Sequence, residues 1–342
     1  MTGELLWAKT SPSSVALDNV RDLVALVAGE LRLRWAGGSR RLDQVCDYAL
    51  APSGKLLRPV LLLESARAVG GQVHAVLPAA VGAESGHVAS LVHDDIIDGD
   101  ELRRGRPSVQ HKYGTDEAIV VGDALLFDLF AGLGACRHTG VAAELVATAL
   151  EVVAQAGIDL CRGQSLEAEL SAERSFDTDA YLTMASLKTA AFFRGVCQVG
   201  GILGGGRPEW VAALGVYGDR LGLAFQIHDD LLPYTSGSSV TGKPDTSDLR
   251  NARVTLPVIL AYNAGTGRHR RAIRLALGAS DDLDGNLAGL AAVMAETDAI
   301  AQTRQMAHRC VSEALQALDR LPASASRDTL RQFAELTVQR DR

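Results

Sequence analysis

The stretch HDDIIDGDELRRG, at residues 93–105, concentrates charge over a few helical turns. Asp94 and Asp98 stand four positions apart, so on a helix their carboxylates share one face at roughly 5–6 Å. Carboxylate oxygens grouped in this way suit hard divalent cations such as Mg²⁺, and so many like charges would be costly to hold together without one. The adjacent guanidinium groups of Arg103 and Arg104 can hold the oxygens of a diphosphate. The stretch therefore predicts a magnesium diphosphate site on a helix.

Helical patterns lie on both sides of this stretch, while alternating runs typical of strands are scarce. Leu23, Val27 and Leu31, for example, recur at the spacing of an amphipathic helix. We therefore predict an all-α protein of roughly a dozen helices around a central cavity. We also predict a single domain over residues 1–342, with residues 1–14 as a poorly ordered leader. The predicted helices lie near residues 20–31, 42–50, just after 59, 75–98, 118–136, 141–170, 178–194, 208–234, 254–264, 286–297, 299–319 and 327–339.

Composition and charge narrow the class of protein. The 342 residues are 47% hydrophobic and carry a net charge of −7 with no basic block, which argues against nucleic acid as a partner. The N-terminal residues lack the charged start and apolar run of a signal peptide, and no later stretch approaches about 18 uninterrupted apolar residues. We therefore expect a cytoplasmic protein without a transmembrane segment. The five cysteines lack CxxC pairing, which predicts packing residues rather than disulfides or a zinc site.

A second acidic cluster, QIHDD, lies at residues 226–230 and places Asp229 135 positions after Asp94. It ends a predicted helix and leads through a loop rich in glycine and serine to Lys243. A DDxxD pattern alone on a helix is usually a solvated face, but here a guanidinium pair and a second acidic cluster accompany it. Two acidic helix faces that meet in a helical bundle can bind metal ions between them. The sequence thus predicts one site built from two distant segments.

Six ordered elements resemble the trans-isoprenyl diphosphate synthases, or polyprenyl synthetases, from about Gly54 to the C-terminus. SGKLLRP, at residues 53–59, is similar to the family's GGKxxRP element, and residues 94–105 are similar to its first aspartate-rich motif with an RRG tail. The other elements, in the family's order, are His87 ahead of that motif, Gly163 with Gln164, Lys188 with Thr189, Gln226 with Asp229 and Asp230, and residues 243–257. The resemblance implies an isoprenoid synthase fold, a homodimer, and condensation of isopentenyl diphosphate with an allylic prenyl diphosphate to give a trans-polyprenyl diphosphate.

The resemblance also implies a role for each matching residue. Three Mg²⁺ ions per site would be ligated by Asp94, Asp98 and Asp229, with Asp95 and Asp230 in support. The allylic diphosphate would be held by Arg103, Lys188 and Lys243. The isopentenyl diphosphate would be held by Lys55, Arg58, His87 and Arg104. Thr189 and Gln226 would point oxygen atoms at the developing allylic cation, and Arg253 would lie near the diphosphates.

Two departures from the family's pattern bear on the turnover rate more than on the reaction class. The second motif usually reads DDxxD, but Pro233 stands at its fifth position. This change removes a carboxylate, predicts an early end of the helix, and favours weaker metal binding on that side. Glu167 stands where an aspartate is commoner after the Gly-Gln pair.

The product length is predicted from the helix that carries the first motif. Counting back from Asp94 in helical turns gives Ser90, Gly86 and Gly82, with Ala89 beside them where relatives making short products carry an aromatic wall. A prenyl tail directed along that face would meet no bulky side chain, which predicts geranylgeranyl diphosphate or a somewhat longer product. The alternative is that these small residues serve only close helix packing.

Two other function classes stay open at this point. A class I terpene cyclase would share the fold and one acidic motif, but it has no use for a second diphosphate site at Lys55, Arg58, His87 and Arg104. Its usual second metal motif is also absent. A non-catalytic subunit of a heteromeric synthase would fit Pro233, although the intact first motif argues against it. The chain-elongating prenyltransferase is therefore the leading interpretation.

Overall fold

The computed structural model describes residues 14–35, 38–51, 54–235, 247–277 and 282–339. Within these ranges the chain is predominantly helical, and the predicted all-α class is confirmed. The first helices are α1 Ser14–Trp35, α2 Arg41–Leu50, α3 Leu57–Ala68, α4 Val73–Asp98, α5 Val109–Tyr113, α6 Thr115–Ala135, α7 Ala143–Glu173, α8 Thr178–Ala185 and α9 Ala191–Leu203. The others are α10 Pro208–Asp229, α11 Leu232–Thr235, α12 Ser247–Arg250, α13 Leu256–Ala264, α14 Gly267–Ala276, α15 Leu283–Glu296, α16 Ala299–Leu318 and α17 Ala325–Thr337.

Two compact units make up the chain. The first contains the described residues up to Val153, together with Val196–Ala212 and Leu321–Leu330. The second contains Ala154–Gly195, Ala213–Arg320 and the described residues from Arg331 onwards. The first acidic motif belongs to the first unit, and the second acidic motif belongs to the second.

In the first unit, α4 and α6 approach closely because glycines remove the side chains between them. A Cβ atom on Gly132 would lie 2.4 Å from the carbonyl oxygen of Pro78, and one on Gly82 would lie 3.0 Å from that of Leu129. A Cβ on Gly86 would lie 2.7 Å from the Leu129 side chain. For Gly82 and Gly86 the structure therefore supports helix packing, because α6 already occupies the space that these glycines leave.

The same two helices are apolar enough for their length to cross a membrane. The segments are Val73–Asp98 and Thr115–Thr139, and their most apolar windows are 67% and 44% buried within the protein. Core helices pass the same test of length and composition, because a helix that is apolar on most sides is buried by its neighbours. Our prediction of a chain without a transmembrane segment stays a prediction.

In the second unit, the segment between α8 and α9 forms one π-helical turn, Ser186–Ala190. Three glycines let neighbouring helices approach this segment. A Cβ atom on Gly163 would lie 2.3 Å from the Lys188 backbone nitrogen. On α10, a Cβ on Gly218 would lie 2.5 Å from the Phe193 carbonyl oxygen, and one on Gly222 would lie 2.7 Å from the Ala190 Cα. Turns of this kind are frequent at functional sites. Helices α7 and α10 are thereby held against the turn that carries Lys188.

Several sequence predictions are corrected by the structure. The helix predicted over residues 178–194 is interrupted by the π-turn and continues to Leu203, and the one predicted over 208–234 ends at Asp229. Helix α14 was not predicted, nor was the short antiparallel pair of strands β1 Leu102–Arg103 and β2 Arg106–Pro107. Cys161 is exposed, so the prediction that all five cysteines pack in the core is wrong for that residue. Lys243 and residues 1–13 lie outside the described residues.

Candidate active site

The first acidic motif occupies the last turns of α4, where Asp94 and Asp98 are half-buried. The helix ends at Gly99, whose positive φ of 66° lets the chain reverse. Arg104 and Gly105 follow with φ values of 55° and 75°, as a two-residue hairpin turn of the left-handed kind requires. This hairpin folds the two arginines back towards α4.

The hairpin pairs Arg103 with Asp95 rather than leaving both groups in solvent. Asp95 is 2% exposed and accepts a 2.8 Å hydrogen bond from Arg103 Nε, and Arg103 Nη2 also bonds the same carboxylate oxygen. Burial raises the pKa of Asp95, and the bond from Arg103 opposes that rise. Asp95 therefore orients the arginine at the edge of the predicted diphosphate site.

Tyr48 holds the other side of the hairpin. Its hydroxyl donates to the Pro107 carbonyl oxygen at 2.8 Å, and its ring lies under the Arg106 guanidinium at 3.8 Å and the Lys112 ammonium at 3.9 Å. Cations over an aromatic face are attracted by its quadrupole. The hairpin that carries Arg103 and Arg104 is therefore fixed at both strands.

A second group of cations in the first unit surrounds His87. Arg58 Nη1 and His87 Nε2 lie 2.9 Å apart, and burial together with the Arg58 charge puts the pKa of His87 well below its ordinary value. The ring is therefore neutral. Its Nε2 accepts a hydrogen bond from Arg58, so the ring hydrogen is on Nδ1, which can donate a further bond. The Arg104 guanidinium lies against Gly54, where a Cβ atom would be 2.6 Å from Nη2.

Glu84 is a buried acidic residue beside these cations, and it is not among the residues predicted from the sequence. It lies one helical turn before His87 on α4, is 2% exposed, and is within electrostatic range of Arg58 and Arg104. Burial raises its pKa and the two arginines oppose the rise. The signal was present, because a carboxylate three positions before His87 shares its helix face.

In the second unit, Glu167 gathers the cations predicted for the allylic diphosphate. Its Oε2 lies 2.5 Å from Lys188 Nζ and 3.6 Å from Arg253 Nη2. Gln164 Nε2 lies 3.3 Å from the same oxygen, and Arg253 is also 3.5 Å from Asp248. Because one carboxylate contacts both Lys188 and Arg253, the two cations point to one place.

Beside these cations runs a chain of buried hydrogen bonds. Thr189 Oγ1 donates to Gln226 Oε1 at 2.7 Å, and Gln226 Nε2 donates to Asp230 Oδ1 at 2.9 Å. The other Asp230 oxygen accepts from the Tyr181 hydroxyl at 2.5 Å and from the Leu256 backbone nitrogen at 3.1 Å. Burial raises the pKa of Asp230 to about 7, and the Tyr181 hydrogen bond opposes that rise. No sequence pattern had drawn attention to Tyr181.

Each unit carries carboxylates of the kind that bind Mg²⁺. Asp94 and Asp98, one helical turn apart, and Asp229, in the second unit, are all half-buried carboxylates. Among the described residues no three acidic, histidine or cysteine side chains form a closed cage. Mg²⁺ needs none, because it is usually held by one or two carboxylates together with substrate phosphates and water.

Comparisons with known proteins identify the family of this chain. The polyprenyl synthetase family model matches residues 39–294. The short chain isoprenyl diphosphate synthase of Methanothermobacter thermautotrophicus is 32% identical over 329 residues, which cover 96% of each chain. The geranylgeranyl pyrophosphate synthetase structure from Pyrococcus horikoshii superposes with a TM-score of 0.87 at 30% identity, covering 95% of this chain and 98% of that one.

A further solved structure is similar to this chain in the same way. The polyprenyl synthase from Caulobacter crescentus, complexed with calcium and isoprenyl diphosphate, has a TM-score of 0.85 at 28% identity, and the match covers 98% of this chain and 100% of that one. The chain belongs to the polyprenyl synthetase family. The predicted isoprenoid synthase fold and the class of trans-prenyltransferase are confirmed.

Proposed function

We propose that the protein condenses isopentenyl diphosphate head-to-tail with an allylic prenyl diphosphate. The observation that carries this proposal is the presence of two separate groups of cations. Arg58, Arg104 and the neutral His87 form one group in the first unit, and Lys188 with Arg253 forms the other in the second. A terpene cyclase binds a single diphosphate and would need only one such group.

The proposed metal ligands are Asp94 and Asp98 from the first unit and Asp229 from the second, with three Mg²⁺ ions per site. When bound, the metal would neutralise the charge that develops on the departing diphosphate. The crystallised relative that holds calcium and isoprenyl diphosphate supports a divalent ion at such a site. Because Pro233 removes the last carboxylate of the second motif, we expect the first motif to supply most of the metal affinity.

The side chains of the protein carry the remaining steps. Lys188, Arg253 and Lys243 hold the allylic diphosphate while its carbon–oxygen bond breaks, which leaves an allylic cation. Oxygens of Thr189 and Gln226 face that cation. The double bond of isopentenyl diphosphate then supplies the electron pair for the new carbon–carbon bond, and the released diphosphate accepts the proton that is lost. The site must exclude water, which would otherwise capture the cation.

For the product we propose geranylgeranyl diphosphate or a somewhat longer chain. Ala89 is buried on α4, five positions before Asp94, and Ser90 follows it. Since Gly82 and Gly86 are packed against α6, the length of the tail depends on Ala89 and Ser90 rather than on the glycines. A relative of this chain is named a geranylgeranyl pyrophosphate synthetase, which supports this range of length.

We further propose a homodimer in the cytoplasm, with α4 and α6 as core helices of a single isoprenoid synthase domain. Helix α6 exposes Ile119, Val120 and Phe127, the last of them 71% exposed. Large exposed apolar side chains on one helix favour packing against another protein surface. In a two-fold dimer, α6 of one subunit would pack against the same surface of the other. No nucleic acid partner is proposed, because the net charge is −7.

Elongation is tested by incubating the purified protein with Mg²⁺, isopentenyl diphosphate and each allylic diphosphate in turn, and by identifying the products by mass. We expect elongated diphosphates with a main product of 20 or more carbons. Hydrocarbon formed from an allylic diphosphate alone would assign a cyclase instead. Activity that requires a partner chain would assign a subunit of a heteromeric synthase.

A further inference from the structure

We infer that Tyr181 and Asp230 are positioning residues that fix which end of the Gln226 amide faces the substrate, and that Asp230 is not a metal ligand. The inference rests on the proposed function, which places Gln226 and Thr189 beside the allylic cation. Tyr181 thereby has a positioning role, and the two neighbouring aspartates of the second motif have different functions: Asp229 binds metal and Asp230 orients Gln226.

Both oxygens of Asp230 are already bonded within the protein. Oδ2 accepts from the Tyr181 hydroxyl and the Leu256 backbone nitrogen, and Oδ1 accepts from Gln226 Nε2. The residue is 5% exposed, whereas its neighbour Asp229 is half-buried. A metal ion would have to displace hydrogen bonds in a buried place to reach Asp230, and each buried donor left without an acceptor is costly.

The chemistry of Asp230 decides the orientation of the Gln226 side chain. One oxygen of Asp230 is occupied by two donors, the Tyr181 hydroxyl and the Leu256 N–H, and the other oxygen accepts from the NH₂ end of the Gln226 amide at 2.9 Å. The oxygen end of the amide then points the opposite way, where Oε1 accepts a hydrogen bond from Thr189 Oγ1 at 2.7 Å. With its proton used in this bond, Thr189 presents lone pairs on its other side.

Thr189 and Gln226 therefore donate in sequence towards Asp230, away from the predicted cation, and Tyr181 donates to Asp230 from the other end. Tyr181 is the fixed end of this chain of hydrogen bonds, because its phenol is 3% exposed and its pKa lies well above the ordinary value, mainly through burial. The phenol therefore stays protonated and donates a hydrogen bond to Asp230. A reversed amide would aim an N–H dipole at a developing positive charge, which would raise the barrier to ionisation.

Replacement of Tyr181 tests the fixed end of the chain. We expect Tyr181→Phe to lower kcat by about tenfold or more, since the buried hydrogen bond that holds Asp230 in place is lost. The KM for isopentenyl diphosphate and the Mg²⁺ concentration for half-maximal rate should stay within about twofold, because neither diphosphate nor metal is contacted. Tyr262→Phe is the matched control: its hydroxyl accepts from Arg274 at 3.0 and 2.7 Å, away from this chain, and wild-type kinetics are expected.

A charge swap tests the orientation itself. In Asp230→Asn the new NH₂ group can oppose the NH₂ of Gln226, so the amide turns, and kcat should fall further than in Tyr181→Phe. Adding Gln226→Glu restores an acceptor opposite that donor, and the double variant should recover at least tenfold over Asp230→Asn alone. Thermal unfolding of all variants is recorded, because a merely structural role would make activity follow stability.

Binding of an ammonium analogue of the allylic cation, measured calorimetrically with inorganic diphosphate and Mg²⁺, tests the inference without turnover. We expect about tenfold weaker binding to Tyr181→Phe than to wild type, and unchanged binding of a neutral allylic thiodiphosphate. Equal binding of the ammonium compound, kcat of Tyr181→Phe within twofold of wild type, or a raised Mg²⁺ requirement in Asp230→Asn would each overturn the inference. Wild-type protein that binds the analogue but does not elongate would overturn the proposed function alone.

Discussion

At the scale of single residues, Glu167 shows how the chain departs from its family's pattern without losing the chemistry of the position. The carboxylate contacts Lys188 and Arg253 through one oxygen. A longer side chain at this place still brings both cations together, because the contact needs only the terminal oxygen. The substitution therefore keeps the ion pairs of the position, and it bears on rate rather than on reaction class.

Removal of the Glu84 charge should stabilise the protein at neutral pH. The pKa of Glu84 is raised above its ordinary value of 4.5, chiefly by burial, so the folded state holds the proton to higher pH than the unfolded state does. Ionisation therefore costs stability as the pH rises above 4.5. Glu84→Gln should raise the unfolding temperature at pH 7 by roughly 2–4 °C for each 1 kcal/mol recovered.

The difference between wild type and Glu84→Gln should shrink as the pH falls below 4.5, where both side chains are neutral. Calorimetric unfolding from pH 4 to pH 8 checks this. A variant that is less stable than wild type at pH 7 would show that the attraction of Arg58 and Arg104 outweighs the cost of burial.

Ala89 is the residue at which product length should be most easily changed. Ala89→Phe adds an aromatic ring at a position that is 2% exposed on α4. The ring should block the proposed path of the prenyl tail and shorten the main product by at least one five-carbon unit. Product mass analysis of the two proteins decides the matter, and an unchanged product distribution in a folded variant would place the tail elsewhere.

At the scale of elements, the glycine face of α10 explains how the second half of the site is assembled. Gly218 and Gly222 lie four residues apart and pack on the segment from Ala190 to Phe193, and Gln226 continues the same face one turn later. The close approach of two backbones is what brings Gln226 within hydrogen-bond distance of Thr189. The spacing of these residues in the sequence places them on one face of the helix, but it does not predict which segment packs against that face.

Gly222→Ala should therefore impair the site through packing. The added Cβ would lie 2.7 Å from the Ala190 Cα, so α10 must move away from the π-turn. Overpacking of this kind costs about 1–3 kcal/mol, and the lengthened Thr189–Gln226 bond should lower kcat by about tenfold. Gly157→Ala is the control, because nothing lies within 4 Å of its added Cβ and helix propensity favours alanine. Equal kinetics of the two variants would contradict the packing argument.

The elements that were predicted from sequence are those with long apolar periodicity or strong stop signals. The helix predicted over residues 208–234 ends earlier, at Asp229, in the direction that the missing N–H of Pro233 favours. Helix α14 was missed because five of its ten residues are arginine or histidine, which hides the apolar face formed by Ile273 and Ala276. The N-terminus of α14 does carry a helix-start signal, since Thr266 and His269 form a reciprocal cap there.

The contacts of the site were less predictable than its members. Sequence identified Lys188, Thr189 and Gln226 by resemblance, but the hydrogen bond from Tyr181 to Asp230 joins residues 49 positions apart. Such a bond depends on the packing of α8 against the end of α10, which no local pattern specifies. Arg103 likewise carries a partner, Asp95, that a reading of charges alone had assigned to metal support.

At the scale of the whole molecule, each of the two units carries its own cations and its own acidic helix end. The first unit supplies Asp94, Asp98 and the group around His87, and the second supplies Asp229 and the group around Glu167. Division of the machinery in this way suits a reaction with two diphosphate substrates.

The proposed homodimer is tested on the exposed face of α6. Phe127 is 71% exposed, and burial of such a side chain against a second copy favours association by about 1.5–3 kcal/mol per chain. Phe127→Asp would place a charge in that interface, so we expect sedimentation to show the 36.1 kDa monomer where wild type shows twice that mass. Leu275→Asp, on α14 and 76% exposed, is the control that should stay dimeric. A dimeric Phe127→Asp protein would move the interface away from α6, whereas a monomeric wild type would remove the dimer from the proposal.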